Sequence, residues 1–265
     1  MDLILGDYAS PDLMALTNGG TVAHALMTSV DTLFPIYDTQ AYFDQFLAPF
    51  QVDVDNDGKR DLIVAPNSTS FSENTHGIWY YHNTGSDAAP YLHYIKNNLF
   101  QGDMLEFGEG AFPVLFDYNG DGLMDLVVGN EGYYQTGGSY LGRMAVLKNI
   151  GTVTSPAFDE VTDNYMQLDT AGMGPGLYPA FGDVDGDGHP DMIVGNLVGQ
   201  LYFFHNTSTN ATALFHAPKQ LMTDDTGTVI DVGQDATPQL YDMDNDGLLD
   251  LLIGERNGNI NYYNN

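Results

Sequence analysis

The sequence predicts an all-β fold of repeated four-stranded antiparallel sheets, and three observations carry that prediction. An acidic loop recurs four times, as DVDNDGKRD (53–61), DYNGDGLMD (117–125), DVDGDGHPD (183–191) and DMDNDGLLD (242–250). Each loop runs straight into a short apolar segment closed by a small residue, LIVA, LVVG, MIVG or LLIG, and a second β-rich segment follows. No useful stretch of 3.6-residue apolar periodicity intervenes, so the elements between loops read as strands. The ninth loop positions, Asp61, Asp125, Asp191 and Asp250, lie 59 to 66 residues apart, a period that calls for a repeat architecture. Four antiparallel strands per period, set radially, make a β-propeller. A row of separate sandwiches is the rival, but a single period is small for a sandwich.

Taken in order, the chain opens on DLILG (2–6), which copies the end of a loop and its strand. The chain is therefore expected to start inside a repeat and to be a piece of a longer protein. In the later repeats a proline precedes the loop by four residues, at Pro49, Pro113, Pro179 and Pro238. Lacking an N–H, proline suits the start of a strand, here strand A, and not its middle. The apolar run after the loop is strand B. Strand C is GIWYYHNTG (77–85), MAVLKNIGT (144–152), QLYFFHNTS (200–208) and NINYYNN (259–265), with LMALTNGG (13–20) at the start. Its closing Asn tolerates a left-handed turn and can bond its own backbone. Strand D is looser: YLHYIKN (91–97), AFDEVT (157–162) and LFHAPKQLM (214–222). The repeats divide approximately as 1–47, 48–110, 111–176, 177–235 and 236–265, a single propeller domain or a fragment of one. Five blade-equivalents result, the first holding strands B to D and the last A to C.

The loops place oxygen side chains at positions 1, 3, 5 and 9, with Gly at position 6. Such spacing suits a hard cation, because Ca²⁺ takes six to eight oxygens from a sharply turned backbone. The predicted ligands are Asp53, Asp55, Asp57, Asp61 and the Lys59 carbonyl in the first loop. The second uses Asp117, Asn119, Asp121, Asp125 and the Leu123 carbonyl, and the third Asp183, Asp185, Asp187, Asp191 and the His189 carbonyl. The fourth uses Asp242, Asp244, Asp246, Asp250 and the Leu248 carbonyl. Up to four Ca²⁺ per chain are expected, the second loop binding most weakly because Asn119 removes a charge. An EF-hand would need a Glu at position 12 and flanking helices. Val64, Val128, Val194 and Ile253 stand there instead. Metal-free Asx-rich turns are the plain alternative, and they carry the like-charge cost of clustered carboxylates.

The formal net charge is −29, from 36 acidic residues against 7 Lys plus Arg. That charge repels nucleic acid and anionic membrane surfaces, so neither is an expected partner. No run of 18 apolar residues exists, and no basic-plus-apolar leader opens the chain. Cysteine is absent, so disulfides and thiolate–metal sites play no part.

The loop-plus-strand unit resembles the FG-GAP/VCBS repeat of integrin α-subunit propellers and of many secreted bacterial proteins. The name-giving elements survive partly, as Phe181-Gly182 and Ala65-Pro66. The resemblance implies a secreted or cell-surface module for adhesion or ligand binding, with calcium rigidifying each blade and a protein or glycan as partner. No enzyme activity is expected. The alternatives are a carbohydrate-active domain such as a polysaccharide lyase, which a minority of the family are, or a structural spacer.

Strand alternation puts the acidic A–B turns on one face and the B–C and D–A connections on the other. The longest variable connections belong to the second face: 66–77, 101–112, 130–143, 169–178 and 223–236. Loops on a rigid scaffold are the usual place for binding. Tyr133, Tyr134 and Tyr140 there are expected either to meet a sugar or protein, or to pack on one another. His82 and His205 share a repeat position with Lys148, which reads as a solvent-facing site. Trp79 aligns with Tyr202 and reads as a packing or edge residue. A lyase would need a cation for its substrate carboxylate, and the chain supplies Lys59, Arg60, Lys96, Arg143, Lys148, Lys219 and Arg256.

Overall fold

A computed structural model describes residues 3–21, 23–68, 72–215 and 220–265. Asp2, part of the 66–77 connection and part of the 214–222 run, Lys219 included, lie outside the described residues. The chain divides into two compact units, Met1–Glu106 with Tyr134–Ser139, and Phe107–Tyr133 with Tyr140–Asn265.

In the first unit, β1 (Leu3–Leu5), β2 (Met14–Asn18) and β3 (Met27–Asp31) form a three-stranded sheet. Next, β4 (Leu47–Val52), β5 (Asp61–Pro66), β6 (Trp79–Asn83) and β7 (Leu92–Lys96) form a four-stranded meander. In the second unit β8 (Phe112–Phe116) and β9 (Asp125–Gly129) begin another such sheet. In sequence a short hairpin of β10 (Tyr133–Gln135) and β11 (Ser139–Leu141), whose residues 134–139 belong to the first unit, precedes that sheet's remaining strands, β12 (Met144–Asn149) and β13 (Phe158–Thr162). The third four-stranded sheet is β14 (Tyr178–Gly182), β15 (Asp191–Gly195), β16 (Leu201–Phe204) and β17 (Gln220–Leu221). Last come β18 (Thr237–Tyr241), β19 (Asp250–Gly254) and β20 (Ile260–Tyr263). The fold is thus all-β, with four-stranded antiparallel blades in the middle of the chain and three-stranded ones first and last. Among the described residues no helix is long and apolar enough to cross a membrane.

The register explains the periodic residues. Pro49, Pro113, Pro179 and Pro238 face Val64, Val128, Val194 and Ile253 across the A–B pair. They stand second or third in their strands, deeper than expected, which an edge strand permits because its outer side needs no donor. Strand B is covered on both faces: every residue of β15 is buried. The small residue ending strand B has a packing reason. A Cβ built on Gly129 would lie 1.9 Å from the Leu177 carbonyl oxygen, and one on Gly195 would lie 1.8 Å from that of Ala236. The backbone just ahead of the following blade occupies the space a side chain would take.

The first unit's core gathers Leu13, Phe34, Phe43, Leu47, Leu62 and Tyr81, among others. The second unit has one cluster around Met144, Val146, Met192 and Phe204 and another around Ile193, Leu201, Leu251 and Ile253. Both are built from alternate residues of strands B and C.

Candidate metal centres

Each acidic loop closes on itself through its own backbone N–H groups. The position-1 carboxylates of Asp53, Asp117, Asp183 and Asp242 accept the N–H of the position-6 glycine at 2.9–3.0 Å. The position-3 oxygens of Asp55, Asn119, Asp185 and Asp244 accept the position-5 N–H at 2.9–3.2 Å. Position 5, at Asp57, Asp121, Asp187 and Asp246, accepts from Lys59, Leu123, His189 and Leu248 at 2.8–3.0 Å. Two residues per loop are left-handed. Gly58, Gly122, Gly188 and Gly247 have φ of 84–94°, and position 4, always Asn or Gly, has φ of 62–77°. Asn and Gly are the residues that reach this region at least cost. The position-4 signal stands in the sequence two residues before the glycine, and the sequence reading missed it.

The ninth residue differs from the rest. Asp61, Asp125, Asp191 and Asp250 are fully buried and begin strand B. Each accepts the backbone N–H of an Asn at the end of strand C, from Asn83, Asn149, Asn206 and Asn265, at 2.7–3.0 Å. A second N–H reaches three of them, from Val54, Val184 and Met243 at 2.9–3.3 Å. Asp125 is the exception, its Oδ2 buried without a hydrogen bond of ordinary geometry.

The electrostatics follow. Burial pushes the Asp125 and Asp191 carboxyls above the ordinary carboxylate range, and neighbouring loop carboxylates push the same way. Asp250 is held below it by the Met243 and Asn265 N–H groups. The position-7 N–H is the largest cause holding Asp57, Asp121 and Asp187 low.

The sequence reading of His82, Lys148 and His205 needs correcting. These side chains do not simply face solvent; each leans from strand C onto the acidic loop of its own blade. His82 Nδ1 lies 3.2 Å from Asp55 and 3.3 Å from Asp61, Lys148 Nζ 3.2 Å from Asp121, and His205 Nε2 3.1 Å from Asp185. In the last blade Asn264 takes this place, 3.0 Å from both Asp244 and Asp250. The interchange of His, Lys and Asn reflects a shared task, setting a side-chain nitrogen beside a carboxylate cluster, and one-dimensional spacing does not reveal it.

Triads of ligand atoms within 4.8 Å of one another form at Asp53, Asp55 and Asp61, at Asp183, Asp185 and Asp187, and at Asp242, Asp244 and Asp246. Asp55 and Asp57 also converge with His82, and Asp185 and Asp191 with His205. The 117–125 loop shows no such acidic or His triad among the described residues, because Asn119 takes the third position. A hard divalent cation fits these donor sets. They are oxygen-rich and held inward by backbone N–H groups, with one fully buried carboxylate in every loop.

The tyrosines of the 130–143 connection pack inward instead of forming an open aromatic cluster. Tyr134 is buried with its hydroxyl on Asp44, Tyr140 donates to Glu109 at 3.1 Å, and the Arg143 guanidinium covers the Tyr133 ring at 5.3 Å.

No curated protein matches the chain. Three overlapping segments, 53–128, 117–194 and 183–253, match the FG-GAP-like repeat. Each runs from the start of one acidic loop to strand B after the next, so the repeat and the metal-centre unit coincide. With most of its length matched in this way, the chain belongs to the FG-GAP-like repeat family.

Proposed function

We propose that the chain is a calcium-stabilised, non-enzymatic binding module of a secreted or cell-surface protein, with a protein or glycan as its ligand. The observation that carries the metal is the repeated loop: a fully buried Asp ends it four times over, and in three of the four the loop carboxylates converge within 4.8 Å. Asp53, Asp55, Asp57, Asp61 and the Lys59 carbonyl would hold the first ion, and the corresponding residues the other three. When bound, the ion would neutralise carboxylates that otherwise repel one another. It would also tie strand A to strand B and, through the Asn at the end of strand C, to a third strand.

Extracellular calcium modules have dissociation constants of about 10⁻⁴–10⁻³ M, so such sites fill outside the cell and stay empty in the cytosol. A binding role without chemistry is supported by the cationic side chains a lyase would need. Lys59, Arg60, Arg143, Lys148 and Arg256 each stand against a carboxylate of this chain. The test is thermal unfolding in millimolar calcium and in chelator. Calcium should raise the melting temperature by on the order of 10 °C, since each ion bound to the native state alone adds to stability by mass action. Equal melting temperatures in the two buffers would refute the proposal.

A further inference from the structure

We infer that a cavity of about 370 Å³ in the first unit is a saccharide site, selective for neutral or N-acetylated sugars over uronates. The inference rests on reading the chain as a binding module and names the ligand class. Topology places the cavity at the end of the blade opposite its acidic loop. Strand β5 leaves that loop at Asp61, and its far end pairs with Trp79, which lines the cavity. The remaining lining comes from connections on the same side, including Tyr42, Asp44, Glu73, Asn97 and Thr136.

The lining matches the two surfaces of a pyranose, an apolar C–H face and a rim of hydroxyls that both donate and accept. Tyr42, 52% exposed, and the Trp79 edge supply aromatic surface. The Trp79 indole is fixed, donating to the His76 carbonyl at 3.1 Å and meeting Phe43 edge-on with ring centres 6.1 Å apart. Asp44 is fixed too. The Tyr134 hydroxyl and the Gly137 N–H, at 3.0 Å, both bond its Oδ2, which leaves Oδ1 as the oxygen to accept from a ligand. Glu73 is oriented by His76 Nδ1 at 2.5 Å. Carboxylates held this way suit vicinal hydroxyls, and the Asn97 amide can donate and accept at once. The volume lies within the ordinary range for small-ligand sites.

Charge sets the selectivity. Among the described residues no Lys or Arg lines the cavity, and its histidine, His76, already stands against Glu73; Asp44 and Glu73 are the charged groups there, in a chain of net charge −29. A uronate carboxylate would enter without a counter-charge, at a desolvation cost and against repulsion. Because the acidic loops lie at the other end of the strands, calcium would support the sugar site through the fold and would not touch the sugar.

The experiment screens calcium-loaded protein against immobilised neutral, N-acetylated and uronate oligosaccharides. It then titrates the best neutral sugar into wild type, Tyr42→Ala and Glu73→Gln. The expected result is binding confined to neutral and N-acetylated sugars, about tenfold weaker in each variant, with melting temperature and calcium content unchanged. The inference is overturned if no such sugar binds at millimolar concentration, if uronates bind best, if the variants bind like wild type, or if a Lys-rich peptide binds there in preference to sugar. Protein that takes up calcium but no sugar refutes the saccharide site alone. Protein indifferent to calcium refutes the reading beneath it.

Discussion

The buried asparagine ending strand C joins the acidic loop to the C–D turn of its blade. Asn83 donates to the Arg60 carbonyl at 3.0 Å and accepts the N–H groups of Gly85 and Tyr91 at 3.0 and 3.1 Å. Asn149 and Asn206 repeat the pattern with the carbonyls of Met124 and Pro190. One side chain thus fixes the C–D turn and anchors it to the eighth residue of the acidic loop. Asn83→Ala would strand two N–H donors and a carbonyl, and a loss of about 2–4 kcal/mol is expected by urea denaturation in calcium. Lys148 makes a second residue-level prediction. Its ammonium already partly neutralises Asp121, in the one loop that has Asn in place of Asp at position 3. Lys148→Met should raise calcium affinity at that loop several-fold and leave the other three unchanged, which a calorimetric titration would resolve. The lowered Asp38 carboxyl gives a pH dependence. The Thr39 N–H is its chief cause, and the His93 ring also donates to it. A depressed carboxylate contributes stability at pH above its unfolded value of 3.8 and loses it as pH falls through its lower folded value. Wild type should therefore be more stable than Asp38→Asn at pH 7, the gap closing below about pH 4 in melting curves.

At the scale of elements, two kinds of glycine separate two causes. Nothing lies within 4 Å of a Cβ built on Gly188, so Gly188→Ala meets only the strain of its left-handed φ of 88°. The expected cost is about 1–2 kcal/mol. Gly195→Ala drives a methyl into the Ala236 carbonyl and forces backbone to move, at about 3 kcal/mol or more. Parallel denaturant titrations would rank the two, and the reverse order would contradict the packing account. The sequence made strands A to C legible because the acidic loop marks where A ends and B begins, and strand B, covered on both faces, reads as an unbroken apolar run. Strand D was less legible. In β13, Phe158–Val161 are exposed, so no buried face imposes alternation. The β10–β11 hairpin was missed for a related reason. Its turn glycines, Gly137 and Gly138, looked like loop composition, and Tyr134 is buried against Asp44, ninety residues away in sequence. The carboxylate loops were legible because their ligands are local. The His82, Lys148 and His205 contacts join residues some twenty or more positions apart and appear only when strand C folds back.

For the whole molecule, the proposed calcium ions would hold a large negative charge in place. A chain at −29 concentrates fifteen aspartates in four loops and buries one in each, an arrangement that works against folding unless positive charge arrives. His82, Lys148, His205 and Asn264 supply a partial answer from within, and divalent ions would supply the rest. The proposed binding surface would then be free to vary at the other end of the strands, because the acidic loops and the strand B glycines carry the architecture. The most direct measurement is the number of calcium ions per chain by native mass spectrometry, in wild type and in Asp61→Asn, Asp191→Asn and Asp250→Asn. Up to four ions are predicted for wild type, with one lost in each variant. A wild-type chain that stays folded and carries no calcium at millimolar concentration would contradict the account.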